Sequence, residues 1–453
     1  MSLLTLKRGV KLRKNKLITK NAQIITLKPA DGELLCFPML QHLGVPATPV
    51  VEKGQRVLMG EKLGEADAKI SAHVFASVSG TVMAVTPLEV IIENDGLFEE
   101  ITYTAYKEDY LSLDRAKYIE IIKQAGLVGL GGAGFPTHVK LDPPKPSDID
   151  TIIINGAECE PYLTTDYKTM LTKSEQIMRG IHILLKMFDS AKIVMAIEKD
   201  KPDIIKLYQD LAKTDSISKG KLSIKALQPT YPQGSEKQLI QSVAGRQVPS
   251  GELPLSVGCM VLNVTNLVWI DTAVTEGRPL TKRIITLSGG AIKNKGNYEV
   301  HLGMSLQSLI DAAGGFNEDD LSPVKLIAGG PMMGKAMFDL SRPAVKTNGG
   351  ILALTEQEAA LPEEEPCIRC SRCVEYCPIG LLPFELNQLA LAGDYEGFKK
   401  LNGLDCIECG ACSYICPSKR HLAQSIILAK KTILDADKKE VTTPEKEKVG
   451  VGK

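Results

Sequence analysis

Aromatic side chains are scarce. They make up 5% of the 453 residues, and Trp269 is the one tryptophan. Surfaces that stack the bases of nucleic acid need more of them. An excess charge of either sign is also missing. Lys plus Arg number 54 and Asp plus Glu number 54, so no global field draws nucleic acid or an anionic membrane. No run reaches the roughly 18 apolar residues of a membrane-spanning helix. The N-terminal stretch "MSLLTLKRGVKLRKNK" is basic but lacks the long apolar centre and small-residue cleavage site of a signal peptide. The expectation is a chain that stays in the cytoplasm, binds no nucleic acid and has no span of its own. It would meet a membrane through partner proteins.

Cysteine is rare over most of the chain and dense in one place. Of 11 cysteines, Cys36, Cys159 and Cys259 are scattered and the rest fall between Cys367 and Cys416. Disulfides are rare in reducing compartments, so a tight cluster there points to metal. "CIRCSRCVEYCP" and "CIECGACSYICP" both match C-x2-C-x2-C-x3-C-P, the run that holds [4Fe-4S] clusters in bacterial ferredoxins. Three thiolates on a tight loop reach three corners of one cubane, and the fourth points to the neighbouring cluster. That rule groups Cys367, Cys370, Cys373 and Cys416 at one cluster, and Cys406, Cys409, Cys412 and Cys377 at the other. Paired zinc knuckles are the competing reading. Zinc prefers C-x2-C hooks set further apart and mixed with His. The three scattered cysteines read as small buried apolar residues.

The order of patterns divides the chain. Residues 1–110 hold short β-branched runs between glycines and resemble the barrel-sandwich domains related to lipoyl and biotinyl carriers. Lys69 lacks the tight carrier motif and reads as an unmodified surface lysine. Residues 111–280 alternate helix and strand, which implies an α/β domain with a mainly parallel sheet. Its pieces are a helix in "SLDRAKYIEIIKQAG" capped at Ser112 or Asp114, strands "TIIING", "KIVMAI" and "KLSIKAL", and helices between them. Residues 281–345 read as a small β-grasp-like domain. Residues 346–434 read as a helical domain carrying the two cluster motifs, and 435–453 as a charged, disordered tail.

The stretch "GLVGLGGAGFPTHVK" contains G-x-G-x-x-G at Gly129, Gly131 and Gly134. A dinucleotide fingerprint follows a strand and opens a helix. Here a helix precedes the glycines and no strand intervenes. The glycines instead suit close approach of backbone to a ligand face, and the loop's N–H groups also suit phosphate. After the strand "TIIING", "NGAECEPYLTTDY" places Asn155, Glu158, Glu160 and Asp166 at a carboxyl end where α/β sheets bind ligands. These side chains either bond ribityl or ribose hydroxyls or cap the next helix.

"GLGGAGFPTHVK", "NGAECEP", "YPQGSEKQLI", "LNVTN", "GGPMMG" and the two cysteine blocks resemble, in this order, the family of C subunits of Rnf electron-transport complexes. The α/β part is similar to the flavin- and NADH-binding subunit of respiratory complex I. The resemblance implies four parts: a barrel-sandwich domain, an α/β FMN/NADH-binding domain, a β-grasp domain of the SLBB type and a ferredoxin-type domain. It implies that Gly131, Gly132, Gly134 and Phe135 pack on flavin and nicotinamide, and that Lys140 contacts the bound cofactor. Asn155 and Glu160 match positions that bind FMN or NADH, Glu236 a glutamate at the nucleotide end, and Asn263 and Thr265 the phosphate end of FMN. Ala157 departs from the pattern, which has Asp there. The implied cofactors are FMN, NADH/NAD+ and two [4Fe-4S] clusters. The implied partners are the other subunits of a membrane ion-translocating complex, with ferredoxin reached through them, at the cytoplasmic face.

Positioning nicotinamide against flavin needs no general acid or base, so no catalytic residue is assigned and His138 reads as a helix-start residue. A soluble flavin and iron–sulfur cobalamin reductase of the diol-utilisation type is the alternative enzyme. A non-enzymatic electron wire with a vestigial nucleotide site is the alternative from another class.

Overall fold

A computed structural model describes residues 8–317 and 325–442. The described chain divides into two compact units: residues 11–360, and residues 361–442 together with 8–10.

In the first unit, strands Leu34–Pro38, Glu89–Asn94, Gly80–Val85 and Arg56–Val57 form an antiparallel sheet. A second sheet contains Thr48–Pro49, Lys62–Glu65 and Val74–Phe75. Alternation explains the packing: Leu35 and Phe37 are fully buried while Leu34 faces out. Their core continues into that of the β-grasp sheet through Ile285, Leu287, Val300 and Ile351. Lys69 is exposed.

The α/β part has four parallel strands in the spatial order Leu222–Leu227, Lys192–Glu198, Thr151–Gly156, Cys259–Asn263. Three of the strands are apolar runs because helices cover both faces, whereas the edge strand Leu222–Leu227 carries Ser223 and Lys225. Ser174–Met187 and Val264–Thr275 pack on one another, and Ile177, Ile181 and Leu184 of the first meet Leu267 and Ile270 of the second in one core. The helix Arg115–Gln124 starts at Asp114, whose side chain accepts from Lys117 N–H. It ends before Gly126, which adopts φ 63°.

The β-grasp sheet has six strands, in the order Ile24–Thr26, Gly296–His301, Lys282–Ser288, Gly350–Leu354, Lys325–Ala328, Lys335–Met337, beside helix Leu306–Ala312. The boundary expected at 345 is corrected. Gly350–Leu354 is fully buried, lies inside the sheet and belongs to the first unit, which ends at Ala360.

The second unit contains short helices at Arg372–Glu375 and Ala411–Ile415, the pair Pro383–Ala392 and Tyr395–Lys400, and the long helix Leu422–Thr442. The disorder expected from 435 is corrected as far as Thr442, because the charged residues continue this helix. Residues 443–453 lie outside the described residues. Among the described residues, no helix is long and apolar enough to cross a membrane.

Candidate functional site

The topology of the parallel sheet marks one place on its carboxyl edge. From the strand Thr151–Gly156 the chain moves to two strands on one side, then crosses to Cys259–Asn263 on the other. Ligands of open α/β sheets bind where the strand order reverses in this way. There Asn155 and Asn263 are register partners.

The glycine loop reaches this spot. A helix precedes it, and its only sheet-like pairing among the described residues is a bridge between Val128 and Pro136. A Cβ on Gly131 would lie 2.7 Å from Asn263 Nδ2 and 3.0 Å from Asn263 Cβ. A Cβ on Gly132 would meet nothing within 4 Å. Gly134 has φ 72°, and a Cβ there would meet Thr347 at 2.7 Å. Gly131 and Gly132 thus present bare, exposed backbone, and Phe135 follows half-buried.

Three buried side chains hold the loop. Asn266, 1% exposed, accepts from Leu130 N–H at 3.0 Å and donates to Val128 O at 2.7 Å and Thr137 Oγ1 at 3.2 Å. Arg283 donates to Leu130 O at 2.9 Å and Asn348 O at 3.2 Å, and burial lowers its pKa to about 10. Lys346 donates to Gly126 O at 2.8 Å and to His73 O, and burial pulls its ammonium down to about 7. The local signals were "LNVTN", which ends on Asn266, and a charged residue in the apolar strand "RIITLS" for Arg283.

The remaining candidates surround the same edge with different roles. Asn155 donates to Gly234 O at 2.9 Å and accepts from Ala157 N–H at 3.1 Å. Lys140 and Glu236 form a partly exposed ion pair at 2.8 Å. Asn263 caps helix Val264–Thr275 by accepting from Thr265 N–H at 2.8 Å, and it donates to Asp166 at 2.8 Å. Thr265 Oγ1 donates to the other oxygen of Asp166 at 3.0 Å. Burial raises the Asp166 carboxyl above its usual range.

Glu158 and Glu160 turn away from one another. Glu158 accepts from Asp166 N–H at 2.7 Å and Tyr167 N–H at 3.3 Å, so its carboxylate caps helix Thr165–Thr172. It also lies 3.8 Å from Lys16. Glu160 accepts from Met332 N–H at 3.2 Å and Met333 N–H at 3.0 Å in the "GGPMMG" turn. Burial raises both carboxyls to about 7. At Ala157 the carbonyl accepts from buried Lys201 at 2.6 Å. A cavity of about 920 Å³ opens beside this loop, lined by Lys14, Lys16, Glu158, Tyr162, Tyr167 and Lys201 among others, but Gly131 and Gly132 do not line it. His138 is buried in helix Thr137–Lys140, and burial lowers its pKa to about 4.

In the second unit the cysteines of the two blocks fall into two neighbourhoods. No disulfide links any of the eleven cysteines. Cys377 is an electrostatic neighbour of Cys406, Cys409 and Cys412. Those four line one small cavity with Ile407, Ala423 and Ile426. Cys373 has Cys416 and Cys367 as neighbours, and Cys370 lies between them in the loop. The two short helices Arg372–Glu375 and Ala411–Ile415 pack together and bring the blocks side by side. Among the described residues, no group of His, Cys, Asp or Glu is placed to hold a single metal ion. The scattered cysteines differ in burial: Cys259 is buried, whereas Cys36 and Cys159 are partly exposed by surface area. Cys159 nonetheless lies deep beneath neighbouring loops, and its thiol is pushed up to about 12.

Comparisons with known proteins cover both units. Family models match as an RnfC barrel sandwich hybrid domain at residues 4–102, a Nuo51 FMN-binding domain at 122–272, an SLBB domain at 284–336 and a 4Fe-4S dicluster domain at 366–421. The C subunit of the proton-translocating ferredoxin:NAD(+) oxidoreductase complex of Clostridium ljungdahlii is 40% identical, over 86% of each chain. Its Na(+)-translocating counterpart from Acetobacterium woodii is 40% identical, over 89% of this chain and 91% of its own. The C subunit of the ion-translocating oxidoreductase complex of Rhodobacter capsulatus is 37% identical, over 87% of this chain and 76% of its own. An NAD+-reducing [NiFe]-hydrogenase structure shares the fold, with TM-score 0.50 and 16% identity over 77% of this chain and 71% of that one. This chain therefore belongs to the family of C subunits of the ion-translocating Rnf oxidoreductase complexes.

Proposed function

We propose that this chain is the NAD(H)-reactive subunit of a membrane ion-translocating complex and passes electrons between nicotinamide, FMN and two [4Fe-4S] clusters. It would lie at the cytoplasmic face, held there by partner subunits. The observation that carries this reading is the bare backbone of Gly131 and Gly132 at the strand-order reversal, flanked by Asn155, Asn263 and the Lys140–Glu236 pair. An isoalloxazine ring needs a flat surface without side chains, and this loop supplies one. Eight thiols in two sets of four suit two cubanes.

FMN, when bound, joins two-electron hydride chemistry to one-electron carriers. The chain's own residues supply position. Asn266 and Arg283 fix the height of the glycine loop. Asn263 and Thr265 hold the helix start at the phosphate end, and Asp166 holds both of them. Glu158 contributes by capping the neighbouring helix and Glu160 by seating the "GGPMMG" turn. Cys367, Cys370, Cys373 and Cys416 hold one cluster, and Cys377, Cys406, Cys409 and Cys412 the other.

The test is an anaerobic NADH titration of the purified chain, followed by absorbance and EPR. Flavin bleaching followed by two cluster signals is expected. Flavin that stays oxidised under NADH would refute the proposal.

A further inference from the structure

The two cysteine blocks repeat in backbone but not in side chains. Offset by one block, Arg369 and Glu408 have φ 54° and 60°, Ser371 and Gly410 have 59° and 74°, and Gly380 and Lys419 have 77° and 54°. On this shared trace the first block carries Arg369 and Arg372 between its thiols, where the second carries Glu408 and Ala411. Past the cross-over ligand Cys416 stands Lys419, where Gly380 follows Cys377.

Cover breaks the symmetry further. The helix Leu422–Thr442 lies over the second block. Its Ala423 and Ile426 line the thiol cavity, and Lys430 donates to Cys406 O at 2.7 Å and pairs with Glu408 at 3.0 Å. Among the described residues the first block has no such roof. Cys367 and Cys370 are exposed, whereas their equivalents Cys406 and Cys409 are half-buried and buried. Ile368 is 67% exposed and Ile407 is half-buried. Arg369, Arg372 and Lys419 are exposed and have no side-chain partner among the described residues. Nearby carboxylates are Glu363, Glu365 and Glu375, all exposed, and Glu364, which pairs with His421.

We propose that the cluster of Cys367, Cys370, Cys373 and Cys416 is the one that exchanges electrons with a partner protein. That partner carries acidic groups around a one-electron centre. Unpaired cations beside an exposed redox group speed encounter with an anionic partner and make the rate depend on salt. The covered cluster, with Glu408 neutralised by Lys430, is the internal member of the pair. Each exchange moves one electron from the reduced cluster to the acceptor, and no bond forms or breaks. This inference rests on the ligand assignment above.

The test uses the full chain with its clusters, reduced and mixed at low salt with ferricyanide, an anionic one-electron oxidant, or hexaammineruthenium(III), a cationic one. Rapid-freeze EPR follows each cluster, with signals assigned through Cys370→Ser. The open cluster is expected to be oxidised first by both oxidants. Arg369→Glu with Arg372→Glu should shift the ratio of the two rates by about tenfold towards the cation, and the paired Gln substitutions should give an intermediate value. A small acidic [2Fe-2S] ferredoxin, as protein probe, should be reduced about tenfold more slowly by the charge-reversed chain. Iron content and spin count must match the unaltered chain. A count short of two clusters in the unaltered chain would sink the ligand assignment itself. With both clusters present, earlier oxidation of the covered cluster, or a ratio unmoved by charge reversal, would overturn the proposal alone.

Discussion

Adjacent glycines in the loop have different jobs. A side chain on Gly131 would collide with Asn263, whereas one on Gly132 would project into open space. Gly131→Ala should therefore cost ~1–3 kcal/mol of stability through overpacking. Gly132→Ala should change stability by no more than ~0.5 kcal/mol yet weaken flavin binding, because its methyl occupies the ring's surface. Thermal midpoints beside flavin affinity by fluorescence separate the two, and equal behaviour of both variants would refute the assignment. Glu160 makes a pH prediction. Its folded pKa is about 7 against an ordinary 4.5. The folded state then holds the proton more tightly, so this group's contribution is complete below pH 4.5 and is lost as pH rises to 7. Glu160→Gln should raise the thermal midpoint more at pH 7.5 than at pH 5. A gain that is equal at both pH values would count against it.

At the scale of elements, helix Val264–Thr275 is the post to which the loop is tied. Asn266 makes three hydrogen bonds to it from a fully buried position. Asn266→Ala leaves Leu130 N–H and Val128 O without their partner, at ~1–3 kcal/mol. Flavin dissociation should rise about tenfold for each ~1.4 kcal/mol of that cost borne by the loop. Isothermal titration with FMN measures it, and unchanged affinity would show that the loop keeps its shape without the amide. The strands and helices around this site were legible because their periodicity is local: Thr151–Gly156, Ser174–Met187 and Pro202–Thr214 announce themselves. Cysteine spacing is local too. Asn266 and Arg283 were not legible as site residues, because their partners are backbone groups that only the fold brings near. For the same reason Gly350–Leu354 and Ile24–Thr26 escaped notice as strands of the β-grasp sheet: they pair with segments far along the chain.

At the scale of the molecule, the two units differ in what holds them together. The first has extensive apolar cores beneath four sheets. The second has a small one, built from Cys377, Leu381, Leu386, Phe398, Ile426, Ala429 and Ile433, in which a proposed cluster ligand, Cys377, is itself a member. A core of that size supports little stability alone, and small domains often rely on a metal group to compensate. Binding free energy at such a site is folding free energy, because the ligands converge only in the folded state. Removing iron from the intact chain with a chelator should therefore abolish the cooperative thermal transition of residues 361–442. The transition of residues 11–360 and its flavin content should persist. Calorimetry with hydrogen exchange resolves the two. Full exchange protection in Pro383–Ala392 and Leu422–Thr442 after iron loss would show that the helices pack without it. Loss of flavin along with iron would show that the two units share one folding transition.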